Sequence, residues 1–189
     1  MESTKTRILK KLLETDGYLS GQELCEQLGV SRTAVWKYMK QLKEEGYEIE
    51  AVQNKGYCLK DVPDVLGESE IKSRLHTRWA GQTLYYYDEI DSTNTQIKRL
   101  AEEDAPHGTL AVADYQSRGK GRRGRAWDSP HGSAIYMSIL FRPEIRPDRA
   151  SMLTLVIGLS VTQAIRSNLG LQAQIKWPND VVLNGKKLV

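Results

Sequence analysis

Apolar residues at the start of the chain follow a helical rhythm. Between Thr4 and Glu14, Ile8, Leu9, Leu12 and Leu13 recur at helical spacing, and Asp16-Gly17 stops the pattern. Ser20 is placed to cap a second helix, Gly21 to Leu28, with Glu23 as the return half of a capping box and Gly29 as its stop. Ser31 caps a third helix running to about Glu45, in which Ala34, Val35, Met39 and Leu42 form the inward stripe and Gly46 ends it. The rhythm then becomes a two-residue alternation across Tyr47 to Val52, turns at Asn54-Lys55-Gly56 and returns through Tyr57-Cys58-Leu59. Three helices with a tight glycine turn between the second and third, followed by a hairpin, predict a winged helix-turn-helix over residues 1–61.

Both rhythms lapse over Asp61 to Glu68, where Pro63, Gly67 and acidic residues gather, so residues 62–68 are expected to be a linker and 69–189 a second domain. There Ser69 is expected to cap a short helix to about Leu75, followed by a strand over Thr83–Tyr87 and a helix from Asn94 or Thr95 to about Glu103. Strands follow over Thr109–Tyr115 and Ile135–Leu140. Arg149 to Leu169 is helical and apolar nearly all round, which predicts burial against a sheet. Ala173–Lys176, Val181–Leu183 and Lys186–Val189 read as short strands around Trp177-Pro178-Asn179-Asp180 and the Asn184-Gly185 turn. The final strand leaves a sheet edge without cover, so this domain is expected to be incomplete.

Charge changes the picture locally rather than globally. The net charge is only +3, so binding to nucleic acid must come from patches. The third helix supplies one: Arg32, Lys37, Lys40 and Lys43 occur with no acidic residue between Ser31 and Lys43. A recognition helix enters the major groove with its N-terminal part near base edges. That assigns Arg32, Thr33, Trp36 and Lys37 to DNA with Lys40 at phosphate, Lys55 at the wing tip as a second phosphate candidate, and Gln22 of the second helix and the cap Ser31 as further candidates; solvation of one helix face, a protein-protein role, or Trp36 in the core are the alternatives. Cys25 and Cys58 stand apart, and His76, His107 and His131 are isolated, so no metal site or disulfide is indicated and buried free thiols are expected. With neither signal core nor spanning stretch, a reducing cytoplasm and no membrane partner are expected.

The second patch is Gly119-Lys120-Gly121-Arg122-Arg123-Gly124-Arg125, which with Arg118 places five cations and no anion between Ser117 and Arg125. Interleaved glycines let the backbone approach a ligand, so a phosphate-bearing partner fits, against the alternative of a solvated surface loop. The run satisfies G-x-G-x-x-G, but a turn and a strand follow where a dinucleotide-binding loop needs a helix, and no Walker lysine is present.

Four motifs stand in order: D-S-T-N at Asp91–Asn94, Q-S-R-G-K-G-R-R-G-R-A-W at Gln116–Trp127, K-W-P-N-D at Lys176–Asp180 and G-K-K-L at Gly185–Leu188. Together with the winged helix they resemble the biotin protein ligases that double as biotin operon repressors, the biotin–[acetyl-CoA-carboxylase] ligase family. The resemblance implies an α+β fold, with the winged helix-turn-helix followed by a partial class II synthetase-like catalytic domain of mixed sheet and helices. It implies activation of biotin by ATP, with Mg²⁺, to biotinyl-5'-adenylate, transfer to a lysine of the biotin carboxyl carrier protein, and repression by a ligand-promoted homodimer on operator DNA.

By motif, Ser92, Thr93, Asn94, Gln116, Lys120, Gly121, Arg122 and Lys187 would bind biotin, with Arg122 and Lys187 catalytic. Arg122, Arg125, Trp127, Lys176, Asn179 and Asp180 would bind ATP. No resident metal site is implied. Ser92-Thr93-Asn94 could also serve as a helix cap, and Lys187 could be a solvated hairpin lysine. Lys120 stands where the family usually has arginine, keeping the charge without bidentate geometry. A non-catalytic biotin-sensing repressor and a lipoate ligase are the competing readings.

Overall fold

The computed structural model describes residues 3–121 and 124–188. By their contacts the residues divide into two compact units, Met1–Phe141 and Arg142–Val189.

In the first unit, helices α1 (Thr4–Glu14), α2 (Gly21–Leu28) and α3 (Arg32–Glu44) are followed by the hairpin β1 (Glu48–Val52) and β2 (Gly56–Asp61). The helical stripes converge as the sequence dictates: Ile8, Leu9, Leu24, Leu28, Val35, Met39, Leu42 and Ile49 form one core. Burying each such side chain contributes about 1.5–3 kcal/mol relative to exposure. Ser31 caps α3 through its Oγ, which accepts from Ala34 N at 3.2 Å. Ser20 also caps α2, but Gln22 N donates to it at 3.2 Å and Glu23 instead accepts from Gln27 Nε2 at 2.9 Å, so the capping box does not form. Cys58 is buried and Cys25 only partly so.

Helix α4 (Glu68–Ser73) starts and ends about two residues earlier than expected, with Gly67 at its N-cap position and no side-chain cap. Ser69 is not the cap because it lies inside the helix, where its Oγ accepts from Thr6 Oγ1 of α1 at 3.4 Å. Tyr47, 4% exposed, donates to Glu70 Oε2 at 2.6 Å, and Arg74 bonds the other carboxylate oxygen. Burial and the Glu70 carboxylate hold the Tyr47 phenol above its usual pKa. The segment 62–73 is thus fastened to the winged helix.

Strands β3 (Leu84–Ile90), β4 (Leu110–Gln116) and β5 (Tyr136–Ile139) form a sheet in that order, β3 parallel to β4 and β5 antiparallel. The parallel pair requires a crossover, which α5 (Thr93–Glu102) supplies. Ile97 and Leu100 of α5 pack on the face carrying Ala111, while Leu84, Leu110 and Val112 line the other face with Leu66 and Ile71. Strand β3 runs three residues past the expected end, and α5 starts at Thr93 rather than Asn94 or Thr95.

In the second unit, a 3-10 turn at Pro147–Arg149 precedes α6 (Met152–Leu169), and β6 (Gln174–Lys176), β7 (Asp180–Leu183) and β8 (Lys186–Lys187) form an antiparallel sheet. The expected burial of α6 is corrected here. Only Gly158 and Thr162 are buried, while Leu155, Val156, Ile157 and Leu159 are 42–57% exposed. Strands of three, four and two residues are too small to cover a helix that is apolar all round. No helix among the described residues is long and apolar enough to cross a membrane.

Candidate ligand and nucleic-acid sites

The polar site of the first unit lies at the carboxyl ends of the parallel strands, where open α/β sheets characteristically bind ligands. Ile90 at the end of β3 pairs in register with Gln116 at the end of β4. That register brings Asp91-Ser92-Thr93-Asn94 beside the start of the basic loop. Gln116 Oε1 accepts from Thr93 N at 2.8 Å and from Thr93 Oγ1 at 3.1 Å. Thr93 Oγ1 also bonds Ser138 Oγ of β5 at 3.0 Å, and Gln116 Nε2 donates to Ser129 Oγ at 3.0 Å.

Ser92 and Thr93 are buried, Gln116 is half-buried and Asn94 is exposed. Ser92 occupies the N-cap position of α5 without making a side-chain cap bond, so it is not spent on capping. Asp91 takes up the structural duties of the motif. It accepts from Ser92 N at 2.7 Å and from Arg99 Nη2 at 2.7 Å, and Arg99 holds its carboxyl below the ordinary aspartate pKa.

The basic loop folds back on itself. Trp127 N donates to Gly119 O at 2.9 Å, Gly121 N donates to Arg125 O at 2.8 Å, and Lys120 bridges Ala126. Lys120 and Arg125 are exposed, Gly121 is half-buried, and Trp127 is 40% exposed. Arg122, assigned to both biotin and ATP, lies outside the described residues. Beyond the loop, His131 stacks on Tyr115 at 4.7 Å and bonds Asp114 at 2.8 Å, fastening the segment back to β4.

Gly119 is buried at the base of this hairpin because nothing larger fits. A Cβ there would lie 2.3 Å from Trp127 O, 2.7 Å from Ser129 Oγ and 3.3 Å from Gln116 Nε2. Gly119→Ala is therefore expected to destabilise the first unit by about 2 kcal/mol, the usual cost of overpacking. Urea denaturation checks this; a midpoint equal to that of the parent would refute the close packing.

In the second unit, the antiparallel register sets Lys176 opposite Asp180 and Val182 opposite Lys187. Lys187 Nζ donates to Asp180 Oδ1 at 2.8 Å, and Asn179 Nδ2 donates to the same oxygen at 3.1 Å. Three of the four assigned residues thus form one cluster, whereas Lys176 is exposed. Its carboxylate is a single one, and no group of three His, Cys, Asp or Glu side chains suited to a metal occurs among the described residues.

On the winged helix, Arg32, Thr33, Trp36, Lys37 and Lys40 all emerge on the exposed face of α3. Trp36 is 60% exposed, which excludes it from the core. Arg32 reaches Gln22 Oε1 at 3.4 Å, and both line a cleft of ≈ 500 Å³ whose far wall includes Lys55 of the wing. Ser31 is exposed but occupied by its cap.

Ser129 and Ser138 were missed in the sequence. Ser129 sits in Trp127-Asp128-Ser129-Pro130, which reads as a turn, and Ser138 lies inside a strand, so neither carries a motif signal.

Comparison with known proteins gives these sites a context. The family described as Biotin/lipoate A/B protein ligase matches residues 86–189, and an HTH domain matches residues 4–58. The bifunctional ligase/repressor BirA of Bacillus subtilis (strain 168) is 46% identical over 191 residues, which cover 100% of this chain and 59% of that protein. The protein of the same name from Escherichia coli (strain K12) is 36% identical over 94% of this chain and 54% of its own. This chain therefore spans less than two thirds of the length of these relatives. Among solved structures, the biotin protein ligase from Aquifex aeolicus in complex with biotin and ATP is 39% identical, with a TM-score of 0.49 over 56% of this chain and 44% of that one. With its family match covering more than half of its length, the chain belongs to the biotin/lipoate A/B protein ligase family.

Proposed function

We propose that this protein activates biotin with ATP to biotinyl-5'-adenylate, passes the biotinyl group to a lysine of a carrier protein, and represses transcription through its winged helix. The observation that carries the ligase half is the register of Ile90 with Gln116. It sets the hydroxyl and amide groups of Thr93 and Gln116 beside a cationic loop, offering polar partners for a ureido ring and positive charge for a carboxylate meeting an α-phosphate.

Ser92, Thr93, Asn94, Gln116, Lys120 and Gly121 are assigned to biotin in this reading, with Arg122 and Lys187 at its activated carboxylate. Arg125, Trp127, Lys176, Asn179 and Asp180 are assigned to ATP. Asp180 suits Mg²⁺ carried in with the nucleotide, since magnesium at phosphates commonly takes one or two protein carboxylates. The metal would neutralise phosphate charge, while Lys187 and Asn179 fix the carboxylate oxygen that they both bond.

The functional division we propose is a DNA-binding domain at 1–61, a connection at 62–68 and a ligase domain from 69, acting in the cytoplasm. Biotinyl-adenylate would favour a homodimer, whose two-fold symmetry suits a palindromic operator. The test is adenylate formation from labelled ATP by the purified chain with biotin, lipoate or neither. Biotin-dependent product is expected. Preference for lipoate would move the protein to the other branch of its family, and biotin binding without product would leave a sensor.

The exposed cations of α3 give a second expectation. In this reading Lys40 meets phosphate, so Lys40→Ala should weaken operator binding evenly across sequences and flatten the log K against log salt slope by about 0.9. An unchanged slope in a salt titration would remove Lys40 from the interface.

A further inference from the structure

The hydrogen bonds around Gln116 have a direction, and its origin is a backbone carbonyl. Trp127 O can only accept, so Ser129 Oγ, 3.2 Å away, must donate to it. With its one hydrogen committed, Ser129 Oγ accepts from Gln116 Nε2. Ser129 on one side and the Thr93 backbone N–H on the other thus hold the Gln116 amide with Oε1 toward Thr93, where it takes both the backbone N–H and the hydroxyl hydrogen. Thr93 Oγ1, having donated, accepts from Ser138. One chain of donors thus runs Ser138, Thr93, Gln116, Ser129 and Trp127 carbonyl, joining the sheet to the closing residue of the basic hairpin.

We propose that Ser129 is a positioning residue for the ligand site: with the Thr93 backbone N–H it holds the orientation of the Gln116 amide, and it ties that orientation to Trp127, the residue that pairs with Gly119. It touches no ligand itself. It is 2% exposed, and the missing Cβ of Gly119 provides the space in which its hydroxyl meets Gln116. A second tie, Gln116 N donating to Ser129 O at 3.2 Å, is a backbone bond that survives side-chain truncation. Replacing Ser129 therefore isolates the hydroxyl's part. The ligand consequence rests on the biotin reading above; the orientation of Gln116 does not.

The experiment uses the full chain as parent, Ser129→Ala, Gln116→Ala and the double variant. In the ligand-free protein, hydrogen exchange of the Gln116 side-chain amide is followed by NMR, with the exposed Asn94 amide as internal reference. Ser129→Ala should speed exchange at Gln116 about tenfold and leave Asn94 unmoved; equal rates in parent and variant would overturn the proposal. By biotin titration, Ser129→Ala should weaken binding about tenfold, and the double variant should bind no more weakly than Gln116→Ala alone. Additive losses would instead mean that Ser129 acts on general stability and would also overturn it. Should the parent fail to bind biotin, the ligand reading falls, while the exchange measurement still decides what Ser129 does.

Discussion

Arg122→Ala is expected to lower biotin-dependent adenylate formation by about 10³-fold, with the winged helix still folded and still binding DNA. When a biotin carboxylate attacks the α-phosphate of ATP, two anions approach and charge builds on the phosphoryl oxygens. A fixed cation at that point is worth most in the transition state. Lys120 remains in the variant, but an ammonium is a point charge and cannot span two oxygens as a guanidinium does. Lys120 therefore does not replace Arg122.

The winged helix has its own core of Ile8, Leu9, Leu24, Val35, Met39 and Leu42, none of it shared with the loop. Its DNA binding should survive. The measurement is single-turnover adenylate formation alongside operator binding by the same preparation. Retained adenylate formation would remove Arg122 from the chemistry, and joint loss of both activities would sink the separation into two modules.

Local signals carried most of what the sequence revealed. The stripes of α1 to α3 and the alternation of β1 depend on neighbours a few residues apart, and they appear in the structure nearly residue for residue. The failures have two causes, one distant and one local. Ser69 has a capping residue's chemistry, but the bond it makes is with Thr6, sixty-three positions away. Glu23 is correctly spaced for a capping box, yet Gln27 competes for it within the same helix.

The site was legible in its members and illegible in its assembly. Thr93 and Gln116 belong to motifs, but only the parallel register of β3 and β4 makes them partners. Ser129 and Ser138 belong to none, because a serine's usefulness depends on which carbonyl or amide folding brings to it. Lys187 and Asp180 were easier, since a hairpin places neighbours by local geometry.

Gly56→Ala is expected to destabilise the first unit by about 4 kcal/mol, a large part of the 5–15 kcal/mol that stabilises a typical domain. Two separate costs meet at this residue. Its φ of +108° is one that side-chain-bearing residues rarely adopt, costing about 1–3 kcal/mol. A Cβ there would also fall 2.1 Å from Leu19 O and 2.8 Å from Ser20 Cα, both of them backbone or bonded to it. Neither neighbour can swing aside, because Leu19 and Tyr57 exchange backbone hydrogen bonds of 2.7 and 2.9 Å that dock the wing onto the chain before α2.

Gly17 separates the two costs. Its φ is +99°, but a Cβ there would meet nothing within 4 Å. Gly17→Ala should therefore show the conformational cost alone, about 1–2 kcal/mol, and the difference between the variants measures the close approach of the wing. Urea unfolding of both against the parent provides the numbers. Equal losses would mean that the wing is not held against Leu19. A larger loss at Gly56, accompanied by weakened operator binding, would place the wing's docking among the things that hold α3 and Lys55 in one DNA-facing arrangement.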